Sequence, residues 1–532
     1  MRDPIETTEA ALVPGVSALP DNGGIAEAPL TDVAHGDLKR RTAHGAFVSL
    51  VAQAANFVLR TGSMMVLARL LIPKDFGLVG MVTAATGILG LLKDAGLSAA
   101  SVQRASITRA QTSTLFWINL AVGGLLATFC VVLAPALVAF YGDRRLFWVT
   151  VVSGTGFIFN GAAVQHQAML QRAMRFGMIA TINIISLVLG IAIGVAMAMA
   201  GQGYWALVAM ATSSPAIYML GMWLATGWLP GKPQRRSGIR SMLKYGGTLT
   251  LNNLISYIAV NTDKVLLGRV CGAGALGIYG RAYQLINLPT DNLNSTIGAV
   301  AFPALSRLQK DPAKLRSYFL KGYSLFLSLI MPVTLWCGFF ADDIILVVLG
   351  SKWHEAAPIF RLLAPTILVF GLVNPFSWLM MATGQARRLL HIGLVLSPVI
   401  ILGYILGLRH GPQGVAMGSS VVMVLALVPV ILWVRHGTLI TMADVFRCAV
   451  KPGVAIAVGF VTALVFAGQV GQIHQAFLRL LLESSIFFGV YLVVLLAVLR
   501  QTSVYLDLLR EIGFLRIAGR RNQDGPHQHR YT

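Results

Sequence analysis

LARLLIPKDFGLVGM at residues 67–81 and LLGRVCGAGALGIYG at residues 266–280 are two copies of one junction between apolar runs. At an offset of 200, Arg69 falls on Arg269, Gly77 on Gly277 and Gly80 on Gly280. FYGDR (140–144) then matches VLGSK (348–352) at an offset of 208, and Gln202-Gly203 matches Gln413-Gly414 at 211. One glycine-rich loop resembles another by chance. Three matches in order, each at the same place relative to successive apolar spans, imply an internal duplication. Six spans separate the copies, an even number, so both cross a membrane in the same sense. The symmetry axis then runs along the membrane normal, as in parallel-repeat transporters.

The spans themselves follow from composition. The chain has 532 residues, of which only 12% are charged, about half the usual share of a soluble domain, roughly 25%. Its mean hydropathy is +0.71. Apolar runs of about 20 residues, the length that crosses a bilayer, recur between residues 43 and 499. They predict an all-α integral membrane protein with about fourteen transmembrane helices. Residues 1–42 read as a disordered acidic tail, 43–228 as a first six-helix lobe and 229–241 as a basic connection. Residues 242–434 read as a second six-helix lobe, 435–499 as two appended helices and 500–532 as a basic tail.

The net charge is +21, which in a soluble chain points to nucleic acid. Here the cations lie between spans and alternate. One set of connections holds Lys39-Arg40-Arg41, the cluster Lys232, Arg235, Arg236, Arg240 and Lys244, and the cluster Arg307, Lys310, Lys314 and Arg316. The other set holds only Lys74, Arg144, Arg145, Lys352 and Arg409. The positive-inside rule places the first set, and both termini, in the cytoplasm. No nucleic-acid partner is implied. An even number of spans is required, which admits twelve as well as fourteen. The four cysteines (Cys130, Cys271, Cys337, Cys448) are far apart in apolar stretches and read as packing residues rather than metal ligands. No metal or organic cofactor is expected. The connections are too short for a soluble catalytic domain, and no phosphate-binding loop, GxSxG or HExxH occurs. An enzyme is therefore not expected.

Several stretches carry a family resemblance. LARLLIPKDFGLVGM, DAGLSAASVQR (94–104), LQRAMRF (170–176), LGIYGRAYQL (276–285), AFPALSRLQKD (301–311), LGSKWHEAAPIFRLLA (349–364) and MATGQARR (381–388) resemble bacterial polysaccharide transporters. These are the Wzx-like flippases of lipopolysaccharide and exopolysaccharide biosynthesis, in the multidrug/oligosaccharidyl-lipid/polysaccharide (MOP) flippase superfamily. The resemblance covers roughly residues 43–500. It implies two lobes around a central cavity, a MATE-like fold, and a bacterial inner membrane location. It also implies alternating-access transfer of an undecaprenyl-diphosphate-linked oligosaccharide, in partnership with polysaccharide polymerase or export machinery. The alternatives are an ion-coupled multidrug or organic-cation exporter of the same superfamily, and a non-transporting membrane component of polysaccharide assembly.

Ionisable residues within spans are costly and mark candidate sites. Arg60, roughly 20 Å along the first span at 1.5 Å per residue, and Arg281 in span eight are the candidate cavity cations for a diphosphate. Span eight carries a polar stripe at helical spacing: Gln284, Asn287, Asp291 and Asn294, with Tyr283 beside it. In a lipid-bounded helix such a stripe faces a cavity or partner helices. With Asn253 of span seven it is the expected sugar-binding wall. Asp263 and Asp291 are the candidates for carrying a coupling H+ or Na+, and Asp263 is also in reach of a pair with Arg281. Pro289 permits a kink. Arg69 and Arg269 read as interface residues at span ends, and Lys93-Asp94 as a local pair. Lys321 reads as a snorkelling cation. His166, flanked by Gln165 and Gln167, reads as a packing hydrogen bond or a proton site.

Overall fold

In a bilayer an apolar run satisfies its internal peptide groups without water only by becoming a helix. The computed structural model describes residues 35–92, 108–233, 240–470 and 475–501, helical almost throughout and without a strand among them. Helices α1 (His35–Leu70), α2 (Pro73–Leu92), α3 (Arg109–Tyr141), α4 (Arg145–Arg172), α5 (Phe176–Met199) and α6 (Tyr204–Thr226) form the first lobe. Helices α7 (Arg240–Leu308), α8 (Pro312–Phe339), α9 (Ala341–Val348), α10 (Ala356–Ala382), α11 (Ala386–Gly407) and α12 (Gly411–Arg435) form the second. Helices α13 (Met442–Val470) and α14 (Ala476–Val493) follow. Helix α1 begins at His35, inside the stretch read from sequence as tail.

Ten stretches among the described residues are long and apolar enough to cross a membrane, one of them (Arg387–Arg435) holding both α11 and α12. Val399, Leu402, Leu406, Leu425, Val428 and Leu432 on those two helices remain uncovered by protein. A wall of this kind is stable against acyl chains, not water. The chain is a multi-pass membrane protein.

The duplication is visible in packing and in backbone. In the first lobe α3 packs on α4, α5 on α6, α4 on α6 and α1 on α5; in the second α8 packs on α10, α11 on α12, α10 on α12 and α7 on α11. Left-handed positions recur with it: Gly142 and Gly350 (φ 74° and 96°), Met174 and Gly384 (54° and 75°), Gly201 and Gly411 (75° and 65°), Gly227 and Gly437 (57° and 77°). The first pair is 208 residues apart and the others 210. Backbone register near Gln202 thus differs by one residue from the 211 of the Gln-Gly match.

Helix starts follow local chemistry. Thr108 opens α3 with a capping box: its Oγ1 accepts from the Gln111 N–H at 3.2 Å, and the Gln111 side chain accepts from the Thr108 N–H at 3.1 Å. Asp311 opens α8, accepting the Lys314 N–H at 3.1 Å, with Pro312 next. That hydrogen bond holds the Asp311 carboxyl below the usual carboxylate range.

Spans seven and eight are one helical run, α7, broken at Gly272 (φ 82°, ψ −179°). Only glycine adopts that backbone at little cost. Pro289 lies inside the helical run, and the break at Gly272 falls between spans seven and eight as read from sequence.

Beyond that break the lobes touch without clearance. A Cβ on Gly77 would overlap the carbonyl oxygen of Ala273, and a Cβ on Gly277 would overlap that of Pro73. Pro73 and Gly77 are the 200-residue counterparts of Ala273 and Gly277, so the pseudo-twofold axis passes between them. Further contacts reinforce this end. Trp353, fully buried, donates its indole N–H to the Ala68 carbonyl at 2.8 Å and meets the Phe76 ring edge-on at 5.2 Å. Arg69 donates to Val347 O at 2.8 Å, and Lys352 donates to Arg69 O at 3.0 Å. The counterpart Arg269 stands over the Phe140 ring, 5.7 Å from its centroid. Arg69 and Arg269 are thus interface residues, each reaching across to the other lobe.

Helices α13 and α14 pack on each other and on α8. Arg479 pairs with Asp343, Trp336 donates to Ser484 Oγ at 2.8 Å, and Tyr491 donates to Ser328 O at 2.6 Å. These bonds make the appended helices part of the second lobe.

Candidate functional site: the cavity between the lobes

From the contact at Gly77 and Gly277, α2 and the second part of α7 run on together and leave a cavity of about 490 Å3 between them. That size suits a small-molecule headgroup. The first lobe contributes Phe76, Gly80, Thr83 and Ala84, a narrow and mostly apolar strip. The second lobe contributes the polar wall: Asn261 and Lys264 before the Gly272 break, then Arg281, Tyr283, Gln284, Asn287 and Asp291 after it. Tyr257 joins the sides, donating from its hydroxyl to Thr83 O at 3.2 Å.

The break at Gly272 is what lets two polar faces of one helical run converge. Lys264 donates to Asn261 Oδ1 at 2.7 Å and lies 5.0 Å over the Tyr283 ring. Arg281 lies over Phe76, 4.7 Å from the ring centroid, and its Nε is buried without a partner. Neither cation forms an ion pair among the described residues. The aromatic faces hold each cation in place through their quadrupoles, while the hydrogen-bonding capacity of Arg281 stays unspent. Two cations against one carboxylate, Asp291, make the described lining net positive. An anion entering it would meet donors already oriented.

Asp263 is elsewhere. It is fully buried, and its two oxygens accept from the Tyr279 hydroxyl at 2.8 Å and from the Lys264 N–H at 2.7 Å. The pair with Arg281 expected from sequence is not formed. Asp263 and Lys264 are consecutive, about 100° apart around a helix, so Lys264 faces the cavity and Asp263 faces its rear wall. There Asp263 ties the two parts of α7 together across the break.

Of the residues singled out in the sequence, Arg281, Tyr283, Gln284, Asn287 and Asp291 share the cavity wall. Arg60 lies on α1 with an exposed side chain, outside the lining. Asn294 is further along α7, half-buried and also outside the lining. Asn253 lies on α7 with its side chain outside the described residues, as do Lys93 and Asp94 entirely. Lys321 is exposed on α8, outside the lining. His166 is fully buried, its Nδ1 2.7 Å from Thr226 Oγ1 and its ring stacked on Trp223, which is a packing role. Asn261, in the polar stretch of span seven that the sequence marks as a wall, and Lys264 join the cavity lining, whereas sequence reading missed the Phe76–Thr83 strip altogether. Lys264 announced itself as an intramembrane cation. The strip gave no signal, because small and apolar residues on a span look like ordinary packing.

Comparisons with known proteins follow the same lines. Residues 66–358 match the family described as "Polysaccharide biosynthesis protein". The teichuronic acid biosynthesis protein TuaB of Bacillus subtilis (strain 168) is 30% identical over 299 residues, 56% of this chain and 62% of that protein, so the match spans less than two thirds of its length. The lipopolysaccharide biosynthesis protein WzxC of Escherichia coli (strain K12) is 25% identical over 398 residues, 73% of this chain and 80% of that protein. Among solved structures, the lipid II flippase MurJ in an inward closed conformation superposes with a TM-score of 0.68 at 12% identity, over 86% of this chain and 99% of that one. At that identity the likeness is one of fold alone.

Proposed function

The chain belongs to the polysaccharide biosynthesis protein family of MOP-superfamily membrane flippases, and on that premise we propose that it transfers an undecaprenyl-diphosphate-linked oligosaccharide across the bacterial inner membrane by alternating access. The carrying observation is the net-positive cavity between the lobes, where Arg281 and Lys264 meet the polar stripe of α7. A diphosphate brings the anionic charge that the two cations await, and Arg281 has the planar fork for it. Hydroxyl-rich sugar matches Gln284, Asn287 and Tyr283, and the isoprenoid chain stays in lipid.

In this reading the chain crosses the membrane fourteen times with both termini in the cytoplasm. Gly77, Gly277, Trp353 and Arg69 then form the outer closure, and the cavity is loaded from the cytoplasmic side. Separation of the lobes at that closure delivers the headgroup outward. Asp291, the carboxylate among the described lining residues, is where a coupling H+ or Na+ exchanges. Polysaccharide polymerase or export machinery receives the product.

The test is a deletion strain. Lipid-linked repeat units accumulate on the inner leaflet and polymer export stops. The wild-type gene restores export, and a gene carrying Arg281→Gln does not. Normal export in the deletion strain, or accumulation of another solute instead, overturns the proposal.

A further inference from the structure

Each lobe carries a pocket where its helices end on the face opposite the Gly77–Gly277 contact, and the two pockets are copies of each other. In the first lobe the start of α3, the end of α4 and the residues after α6 enclose about 690 Å3. In the second lobe the start of α8, the end of α10 and the residues after α12 enclose about 300 Å3. Gly227 and Gly437, both left-handed, line equivalent places. Ser113 and Arg316 are equivalent too, each lying five residues after its helix cap, Thr108 or Asp311.

The copies differ in charge balance. In the second lobe Arg316 is paired at 2.6 Å with Asp444, whose side chain is 7% exposed. Asp444 comes from the first turn of α13, one of the helices that only the second lobe possesses. In the first lobe Ser113 replaces the arginine and fastens the connecting loop instead. It accepts the Gly231 N–H at 3.0 Å, while Trp117 donates to Gly231 O at 2.8 Å. That loop brings Lys232 into the same pocket lining as Arg109. The described lining holds no carboxylate, and neither cation forms an ion pair among the described residues. The duplicated site keeps its positive charge in the first lobe and lacks the anion that the second lobe supplies from within.

We infer that the first lobe's pocket binds the phosphate headgroup of an anionic phospholipid of the surrounding bilayer. Its depth in the membrane favours this source: Arg109 is the first residue of α3, and Thr226, the last of α6, lines the pocket. Both mark the boundary between acyl chains and water, where phospholipid phosphates lie. Trp228 in the lining has the amphipathic ring that favours that level. The volume exceeds twice that of the copy in the second lobe, which leaves room for a whole headgroup. Basic pockets between helices at a membrane surface recognise lipids in this way. The inference stands apart from the transported substrate, since Arg109 and Lys232 are not in the cavity between the lobes.

The experiment uses the full chain purified in neutral detergent, with phosphatidylglycerol, phosphatidylcholine or inorganic phosphate added. Phosphatidylglycerol raises the Tm by several degrees, and phosphatidylcholine does not. Native mass spectrometry shows anionic phospholipid retained through purification. An Arg109→Gln/Lys232→Gln variant loses the Tm response and the retained lipid, whereas Arg109→Lys/Lys232→Arg keeps both. Equal responses in wild type and the Gln variant overturn the site. A full response to inorganic phosphate alone overturns the lipid as its source. A chain lacking residues 1–34 that responds to phosphatidylglycerol when the full chain does not overturns the inference in favour of the acidic tail. Should the Gln variant fail to fold, the single Lys232→Gln change in an exposed loop carries the comparison.

Discussion

At the scale of residues, the cavity separates chemistry that neighbouring positions on one helix share. Asp263 and Lys264 are adjacent, yet one is buried behind the wall and the other points into it. Their variants therefore fail differently. Lys264→Gln and Arg281→Gln keep the helix and the volume and remove charge, so the protein inserts and melts as wild type while transport falls. A hydrogen bond to a charged group is worth about 1.5–3 kcal/mol, which corresponds to roughly a 10- to 100-fold loss of substrate affinity. Arg281→Lys, a point charge without the fork, retains part of it. Asp263→Ala leaves the Tyr279 hydroxyl unpaired in the interior. At about 1–3 kcal/mol for a buried orphan, its first symptom is a lower Tm in detergent. Transport assays beside thermal melts separate the two classes. A normal melt for Asp263→Ala refutes its structural role.

At the scale of helices, the contact of α2 with α7 sets how far the lobes close. Gly77 and Gly277 have no room for a side chain, whereas a Cβ on Gly80 would stand 3.5 Å from Leu276 Cδ2, an ordinary contact. Gly77→Val thus holds the lobes apart at the closure and Gly80→Ala does not. With Tyr283→Cys as reporter in a background free of the native cysteines, an impermeant maleimide applied outside labels the Gly77→Val chain faster than its parent. The Gly80→Ala chain labels as its parent does. These glycines were legible in the sequence because duplication exposes them: Gly77 and Gly80 align with Gly277 and Gly280. The polar stripe of α7 was legible because lipid forbids an unexplained polar face. What sequence did not convey was which side of α7 meets the cavity before the break. Gly272 turns the helix by a backbone angle, and the relative facing of Asn261, Lys264 and Arg281 follows from that turn, not from any spacing. Arg60 illustrates the converse, a mid-span cation whose exposed position depends on how α1 packs against α5.

At the scale of the whole molecule, where the fastenings lie sets what moves. The appended helices are fastened to the second lobe at Asp343–Arg479, Trp336–Ser484 and Ser328–Tyr491, spread along α14 from one end to the other. The loop after α6 is fastened to the first lobe through both polar groups of Gly231. Between the lobes three reciprocal ties gather at one end, Arg69 to Val347, Trp353 to Ala68 and Arg269 over Phe140, while Tyr257 to Thr83 O and Arg281 over Phe76 lie at the cavity. Breaking that end exchanges a few hydrogen bonds and ring contacts, whereas detaching α14 breaks a half-buried ion pair and uncovers the face of α14 that packs on the second lobe. The cheaper motion therefore carries α13 and α14 with the second lobe as one body. Spin labels test this. Arg144 in the first lobe, Glu355 in the second and Phe477 at the start of α14 are all exposed. In membranes, the 144–355 distance broadens or lengthens when lipid-linked oligosaccharide is supplied, and the 355–477 distance keeps one narrow distribution. A change in 355–477 with constant 144–355 would mean that the appended helices move against a fixed pair of lobes, and that the Arg69–Trp353 end is a permanent seam instead of a gate.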